Sequence, residues 1–251
     1  MKFAVVTDVH GNAPALRAVL EKIDQSPGIE HIFCLGDMMG IGPNTNEVLG
    51  MLFSRTDVSM VTGNHDEAIL ALAKGQQYPL SHSHVKTHHQ WMADRLDPAF
   101  IPKLASLPRT IKKRISGHSA LFTHYSICDG KLLAPISKDP FKPIVEPSLT
   151  NMETLFNKAN EQLVCFGHHH PKHFFKNTRT IYLNPGALGC TIKPAAPYAI
   201  VNVREQGIDV SLEEAGYDNR EFLLSYEKLK VPERKFILKA FHGNQMGNQG
   251  W

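Results

Sequence analysis

Residues 2–12 read Lys2-Phe3-Ala4-Val5-Val6-Thr7-Asp8-Val9-His10-Gly11-Asn12. Lys2 to Thr7 is a short β-rich run, and it delivers the chain directly to a carboxylate and an imidazole. Residues 13–25 then place Leu16, Val19, Leu20 and Ile23 on one face at helical spacing, a core stripe rather than a binding surface. Asn12 stands at the N-cap position and Pro14 suits the first turn. The pattern repeats. Ile29 to Leu35 reads as a second strand ending in Gly36-Asp37, Asn46 to Phe53 as a helix, and Val58 to Val61 as a third strand ending at Gly63-Asn64. This βαβαβ order predicts an α/β fold (α+β in some schemes), with parallel strands and helices on the sheet faces. Ligands of such sheets bind beyond the carboxyl ends of the strands. Each Asp, Asn and His motif of this stretch falls at that end.

The remainder of the chain is less regular. Residues 67–107 read as helical and less apolar, and we expect a small helical cap inserted over 67–117. The segment 127–147 is rich in Pro and Lys without a clear period, which predicts a long loop of the kind that often carries function. Ala120 to Thr123 is a strand ending at His124, and Leu163 to Phe166 is another ending at Gly167-His168. Three later strands, Thr180 to Leu183, Tyr198 to Val203 and Ile208 to Leu212, are expected to form a second, mixed sheet. Asp218 to Leu229 reads as a closing helix. Together these predict one domain over 1–230, followed by an extension over 231–251. The tail from His242, rich in Gly, Asn and Gln, is expected to fray.

The composition is that of a globular protein: 251 residues, 42% hydrophobic and 20% charged. A net charge of +3 is only mildly basic, and Lys112-Lys113-Arg114, the densest basic cluster, reads as a solvated face. No stable nucleic-acid complex is expected. The four cysteines, Cys34, Cys128, Cys165 and Cys190, form no C-x-x-C pair and no disulfide framework, which fits a reducing compartment. Without a signal-like start or a long apolar run, the sequence predicts a cytoplasmic protein with no membrane association.

The chemistry lies in the ordered polar set. Two Asp, one Asn and four His come from five strand ends: Asp8, His10, Asp37, Asn64, His124, His168 and His170. Carboxylate, imidazole and amide oxygen suit borderline divalent metals. Crowded at one sheet edge without a cation, they would be desolvated and mutually strained. Two metals roughly 3.5–4 Å apart suit phosphoryl transfer, with a bridging hydroxide attacking phosphorus in line. His65 follows a candidate ligand directly. It is therefore expected to face the substrate and protonate the leaving oxygen, with Asp66 orienting it.

These blocks resemble the calcineurin-like metallophosphoesterase superfamily, whose pattern is D-x-H, G-D, G-N-H-D/E, H and G-H-x-H. They appear here as Asp8-Val9-His10, Gly36-Asp37, Gly63-Asn64-His65-Asp66, His124 and Gly167-His168-His169-His170. Gly40-Ile41-Gly42-Pro43-Asn44, Asn184-Pro185-Gly186 and Tyr217-Asp218 resemble its small bacterial phosphodiesterase-like branch. The resemblance runs from residue 2 to about 230. It implies a four-layer fold, two mixed sheets packed as a sandwich and flanked by helices. It also implies two ions (Mn, Fe or Zn), with Asp8, His10 and His170 on one, Asn64, His124 and His168 on the other, and Asp37 bridging. The implied activity is metal-dependent hydrolysis of phosphate esters. A phosphodiester or nucleotide substrate is favoured over a phosphomonoester or phosphoprotein, and a non-catalytic scaffold is a further alternative.

The chain also departs from the branch. Tyr125 replaces a Gly after the His124 position and is expected to place a ring beside the metals. With Asn12 and His65 it is expected to contact substrate. After Asn184-Pro185-Gly186-Ala187-Leu188-Gly189, the chain reads Cys190-Thr191-Ile192-Lys193 where the branch carries an Arg clamp, and Lys193 supplies only a point charge. His82, His84, His88 and His89 read as exposed polar residues of the cap, although His84 and His88 would share a helical face. His169 is expected to face away from the ions.

Overall fold

The parallel start of the chain is built as β1 (Lys2–Val6), α1 (Ala13–Asp24), β2 (Ile29–Cys34), α2 (Thr45–Phe53) and β3 (Val58–Met60). The computed structural model describes residues 1–245. Asn12 caps α1, its side chain accepting from the Ala15 amide at 3.1 Å. Then come α3 (Asn64–Ala73), α4 (Lys86–Ala93) and α5 (Ile101–Ala105), with short 3-10 turns at Leu80–Val85 and Pro98–Phe100. The second half supplies β4 (Thr110–Ile115), β5 (His118–Thr123), α6 (Leu149–Leu155), β6 (Leu163–Cys165), β7 (His173–Lys176), β8 (Ile181–Asn184), β9 (Ala195–Arg204), β10 (Gly207–Gly216), α7 (Arg220–Lys228) and α8 (Arg234–His242).

Two five-stranded mixed sheets result, ordered β10-β9-β1-β2-β3 and β4-β5-β6-β8-β7. In the first, β1, β2 and β3 run parallel, while β9 lies antiparallel to β1. In the second, β5, β6 and β8 run parallel. The sheets face each other across a dry layer of Phe3, Val5, Phe33, Phe122, Leu163, Leu183 and Val201. On the outer side of the first sheet, Ala4, Val6 and Cys34 pack against Leu16, Val19 and Leu49 of α1 and α2. Leu121, Val164 and Tyr182 of the second sheet pack against Met152 and Leu155 of α6. This is a four-layer α/β sandwich. Because β1 has both faces covered, its residues form a continuous apolar run instead of alternating.

Five elements differ from the sequence reading. β9 and β10 belong to the first sheet: β9 zips onto β1 with Lys2 opposite Asn202 and Val5 opposite Ala199. Only β8 of the three later strands joins the second sheet. Residues 110–115, expected in the helical cap, form the edge strand β4, whose exposed Lys112, Lys113 and Arg114 mask its period and suit an unpaired edge. β7 and α8 were not anticipated. Of the expected frayed tail, residues 246–251 lie outside the described residues. His242 is instead buried at the end of α8, 2.9 Å from the Tyr226 hydroxyl. No helix among the described residues is long and apolar enough to cross a membrane.

An aromatic contact joins the two sheets. Phe33 and Phe122 stack with centroids 3.7 Å apart at 9°, and Phe3 meets both rings edge-on. Phe122→Ala removes this fully buried ring and should cost about 3–5 kcal/mol of stability, read as a lowered midpoint in urea unfolding.

Candidate metal centre

Both sheets end their parallel strands at the same edge, and there the expected residues converge. Asp8 and His10 follow β1, Asp37 follows β2, Asn64 opens α3 after β3, His124 follows β5, and His168 and His170 follow β6. The loops are tightly wound. Asp8, His10, Asp37 and His168 all adopt positive φ, at 52°, 47°, 50° and 70°. Such backbone is unfavourable for residues with a Cβ and persists where surrounding bonds fix it. The Asp8 amide donates to Gly36 O at 3.1 Å and the His10 amide to Asp37 O at 2.9 Å, tying the first two motifs together. Gly63 lies against Asp37 so closely that a Cβ would fall 2.1 Å from Oδ1, which requires glycine there.

The side chains face a common centre. Asp37 Oδ2 lies 3.2 Å from His124 Nε2 and 3.8 Å from His10 Nε2. Asp8 Oδ1 lies 3.6 Å from His10 Nε2 and 3.9 Å from His170 Nε2. Asn64 Oδ1 is 2.9 Å from His124 Nε2. Two groups, Asp8-His10-Asp37 and Asp37-His124-His168, each bring their ligand atoms within 4.8 Å of one another. The remaining atoms of these side chains are anchored outside the centre. His10 Nδ1 donates to Met39 O at 3.0 Å and His124 Nδ1 to Leu35 O at 2.8 Å, so both Nε2 atoms face inward. Asp8 Oδ2 accepts from Thr7 Oγ1 and from the His168 amide, while Asp8 Oδ1 is buried without a hydrogen-bond partner.

The electrostatics describe a centre short of positive charge. Burial works to raise Asp8, but His10, His124 and His170 outweigh it and hold the carboxyl at about 2. Asp37 is likewise pulled well down, burial being overcome by His124, His65 and His10. Burial opposes the charge on His124, yet Asp37 and Asp8 lift it to about 9. Burial, followed by the neighbouring imidazoles, pushes His168 to about 3 and His170 to about 4. Protonated imidazole thus stands in for a cation between two buried carboxylates. The orphaned Asp8 oxygen and the carboxylate, imidazole and amide donors fit divalent ions.

Other expected residues sit differently. Asp66 does not orient His65. Its two oxygens accept from the Met39 amide at 2.9 Å and the Gly63 amide at 3.0 Å, and burial with the nearby Asp37 raises it to about 7. His65 is held by the cap instead, Nδ1 lying 2.8 Å from His89 Nε2. His89 Nδ1 is 2.8 Å from the Tyr78 hydroxyl, which donates to His82 O at 3.0 Å. His82 Nε2 meets Asn64 Nδ2 at 2.9 Å. The cap histidines are therefore not exposed as a group: His88 and His89 are both buried, His89 between the His65 ring and the Tyr78 hydroxyl, His88 with neither ring nitrogen hydrogen-bonded. Asn12 is fully buried, capping α1 and donating to Gly189 O and the Tyr217 hydroxyl, so it does not reach the open face. Tyr125 is buried beneath His168, ring centroids 4.8 Å apart, with its hydroxyl accepting from the Val145 amide. Lys193 pairs with Glu214 at 2.6 Å and leaves the missing Arg unreplaced. His169 pairs with His173 at 3.2 Å. Sequence reasoning did not single out Tyr78, Cys190, Phe236 or Phe241, all of which lie around the centre. For Cys190 the available signal was its place directly after the Asn184–Gly189 block.

Comparison with known proteins identifies the family and the fold. The model of the calcineurin-like phosphoesterase superfamily domain matches residues 1–206. The chain is 35% identical to the uncharacterised protein MJ0912 of Methanocaldococcus jannaschii over 121 residues, 48% of each chain. It is 36% identical over 76 residues to a symmetrical bis(5'-nucleosyl)-tetraphosphatase of Chromobacterium violaceum, covering 30% of this chain and 27% of that protein. The chain thus spans about half the length of the first relative and about a quarter of the second. Among solved structures, the hypothetical protein PH1004 from Pyrococcus horikoshii OT3 has a TM-score of 0.78 at 20% identity, covering 96% of this chain and 98% of that one. A metallophosphoesterase from Sphaerobacter thermophilus has a TM-score of 0.70 at 22% identity, covering 94% and 97%. These two share the fold.

Asp66→Ala leaves two buried amides without acceptors, at about 1–3 kcal/mol each. Thermal unfolding should show this as a lowered midpoint. Because the Asp66-bound Met39 amide belongs to the loop that carries Asp37, metal affinity should fall in parallel. An unchanged midpoint would contradict the structural role.

Proposed function

The chain belongs to the calcineurin-like phosphoesterase superfamily, and from that premise we propose that it is a metal-dependent phosphoesterase that hydrolyses a phosphodiester or nucleotide at a dinuclear centre. Asp8, His10 and His170 would hold one ion, Asn64, His124 and His168 the other, with Asp37 between them. The observation that carries this reading is the pair of buried carboxylates, one with an unpartnered oxygen and one facing histidines of both groups. Bound ions act as Lewis acids toward phosphoryl oxygens and lower the pKa of the attacking water.

The protein's own groups supply the rest. His65 is positioned to serve the leaving oxygen. Tyr78 gives its single proton to His82 O, so it accepts from His89 Nδ1, and His89 Nε2 accepts from His65 Nδ1. That direction leaves Nε2 of the neutral His65 ring unprotonated, so Nε2 serves the leaving oxygen once it has taken up a proton from solvent to form the imidazolium. Burial pushes His65 well below its ordinary value, and a phosphate anion beside it favours the charged form. Asn64 holds its amide oxygen toward the centre because its nitrogen is engaged by His82.

The substrate class follows from the walls. A cavity of about 480 Å³ opens beside the centre, lined by His65, His168 and the cap histidines His82, His84, His88 and His89 together with the apolar Val85, Ile144, Phe236 and Phe241. The apolar side suits an organic group, and aromatic rings there suit a base or another flat ring. The similarity to a bis(5'-nucleosyl)-tetraphosphatase supports a nucleotide-type substrate.

The reading is tested by assaying chromogenic monoesters and diesters, cyclic nucleotides, dinucleoside polyphosphates and phosphopeptides, with Mn²⁺ and after chelation. Diesters or nucleotides should be turned over only with metal. His65→Ala should retain bound metal and lose about 10²–10⁴ in kcat. His89→Ala should lose less, and His89→Gln, which restores an acceptor, should recover part of it. Two bound ions with no turnover on any of these phosphorylated compounds would sink the proposal.

A further inference from the structure

Cys190 stands on the His10–His170 side of the centre, and none of the ligand roles above uses it. Its Sγ and the ring nitrogens of both histidines all lie within 4.8 Å of one another. The two imidazoles bring their Nε2 atoms to 3.1 Å, both facing the same point. The unpartnered Oδ1 of Asp8 lies 3.6 Å from His10 Nε2 and 3.9 Å from His170 Nε2. A thiol and two imidazoles thus share one small volume, with a buried carboxylate against the imidazoles.

The backbone fixes this placement. The Ala187 amide donates to His170 O at 2.9 Å, the Leu188 amide to Thr7 O at 3.0 Å and the Gly189 amide to Asp8 O at 3.0 Å. Gly189 approaches so closely that a Cβ would lie 1.9 Å from Val9 O, which only glycine allows. The three residues before Cys190 are therefore fastened to the segments that present Asp8, His10 and His170. Behind the thiol, the cluster of Ile41, Phe222, Tyr226 and Ile237 leaves it only partly exposed.

We propose that Cys190 is a thiolate ligand of the ion held by Asp8, His10 and His170. The inference rests on the metal-binding reading above and goes beyond it. On binding, the S–H proton passes to solvent and a sulfur lone pair forms the bond to the ion, with no change of oxidation state. A soft donor on this ion, and only nitrogen and oxygen donors on the Asn64-His124-His168 side, make the two positions chemically unequal. The sulfur-bearing position favours zinc or a similar soft or borderline ion over Mn²⁺ and Mg²⁺.

The test is a Co²⁺ titration of the metal-stripped full chain and of Cys190→Ser. Both should develop visible ligand-field bands, and only the unsubstituted chain should show a near-ultraviolet thiolate-to-cobalt charge-transfer band. Zn²⁺ affinity of Cys190→Ser should fall at least about tenfold, the loss that even an outer partner of a ligand causes, with Mn²⁺ affinity changed less. Ligand-field bands without a charge-transfer band in the unsubstituted chain would overturn the Cys190 assignment and leave the metal reading standing. No cobalt bands in either protein would overturn both. If Cys190→Ser does not fold, iodoacetamide labelling of the unsubstituted chain decides. Zn²⁺ should protect Cys190 while Cys128, away from the centre, serves as the internal control. Equal labelling of Cys190 with and without Zn²⁺ rejects the assignment.

Discussion

Two carboxylates, Asp8 and Asp37, are held side by side away from water, and the rest of the molecule is arranged around that fact. They leave neighbouring parallel strands, and the Asp8 amide bonded to Gly36 O locks one loop to the other. Neither side chain is more than 2% exposed. Buried carboxylates are tolerated only where positive charge or donors balance them. Here part of the balance comes from imidazoles: the neighbouring carboxylates lift His10 and His124 against the opposing effect of burial. The inter-sheet layer of Phe3, Phe33 and Phe122 keeps the two parallel strand sets in register, so both deliver their loops to this edge. The strained φ values at Asp8, His10, Asp37 and His168 then become intelligible. They are places where side-chain direction toward the centre prevails over backbone preference.

Much of this was readable from residue order. β1, α1, β2, α2 and β3 carry alternating periods with caps and breakers between them, and local pattern is what a single sequence exposes. Asp8, His10, Asp37, Asn64, His124, His168 and His170 were readable as a set because each follows an apolar run. Pairing was not. Nothing in Ala195–Arg204 says that it lies beside β1 instead of β8, because a strand's partner is chosen by tertiary packing. β4 hid behind Lys112-Lys113-Arg114, since an edge strand needs charge on its exposed face and so loses its period. His88 and His89 were read as surface residues on the rule that polar helices face water. Both are buried, and for His89 the reason is that the surface beneath it, His65 and Tyr78, is itself polar. For Cys190 the sequence offers only its place after the Asn184–Gly189 block; what brings it to the centre is the bonding of Leu188 and Gly189 to Thr7 and Asp8, more than a hundred positions away.

The cap and the long loop gain meaning from the same contacts. Asp139 of the loop accepts from Ser81, Ser81 Oγ meets His82 Nδ1 at 2.7 Å, and His82 meets Asn64. On the other side Tyr78 and His89 fix His65. The two adjacent residues at the start of α3 are thus each set by a different histidine of the cap. The segment carrying Tyr78, His82 and His89 thus contacts both Asn64 and His65 directly.

Departures from the family pattern sort by where they point. Tyr125 is packed into the core beneath His168 and Lys193 is paired on the surface, so neither shapes the open face. What shapes it is α8, whose Phe236 and Phe241 wall the cavity beside the centre. Phe236 is 60% exposed, a large apolar side chain left in contact with water at the mouth of a polar site. Burying such a ring against a ligand is favourable, and the centre it borders can supply only charge and hydrogen bonds. On the proposed reading, selection among phosphorylated compounds falls to the apolar portion of the substrate and to this helix, which follows the segment matched by the superfamily model at residues 1–206. On that reading the shared centre sets the class of reaction, and the helix beyond the shared segment sets which molecule undergoes it.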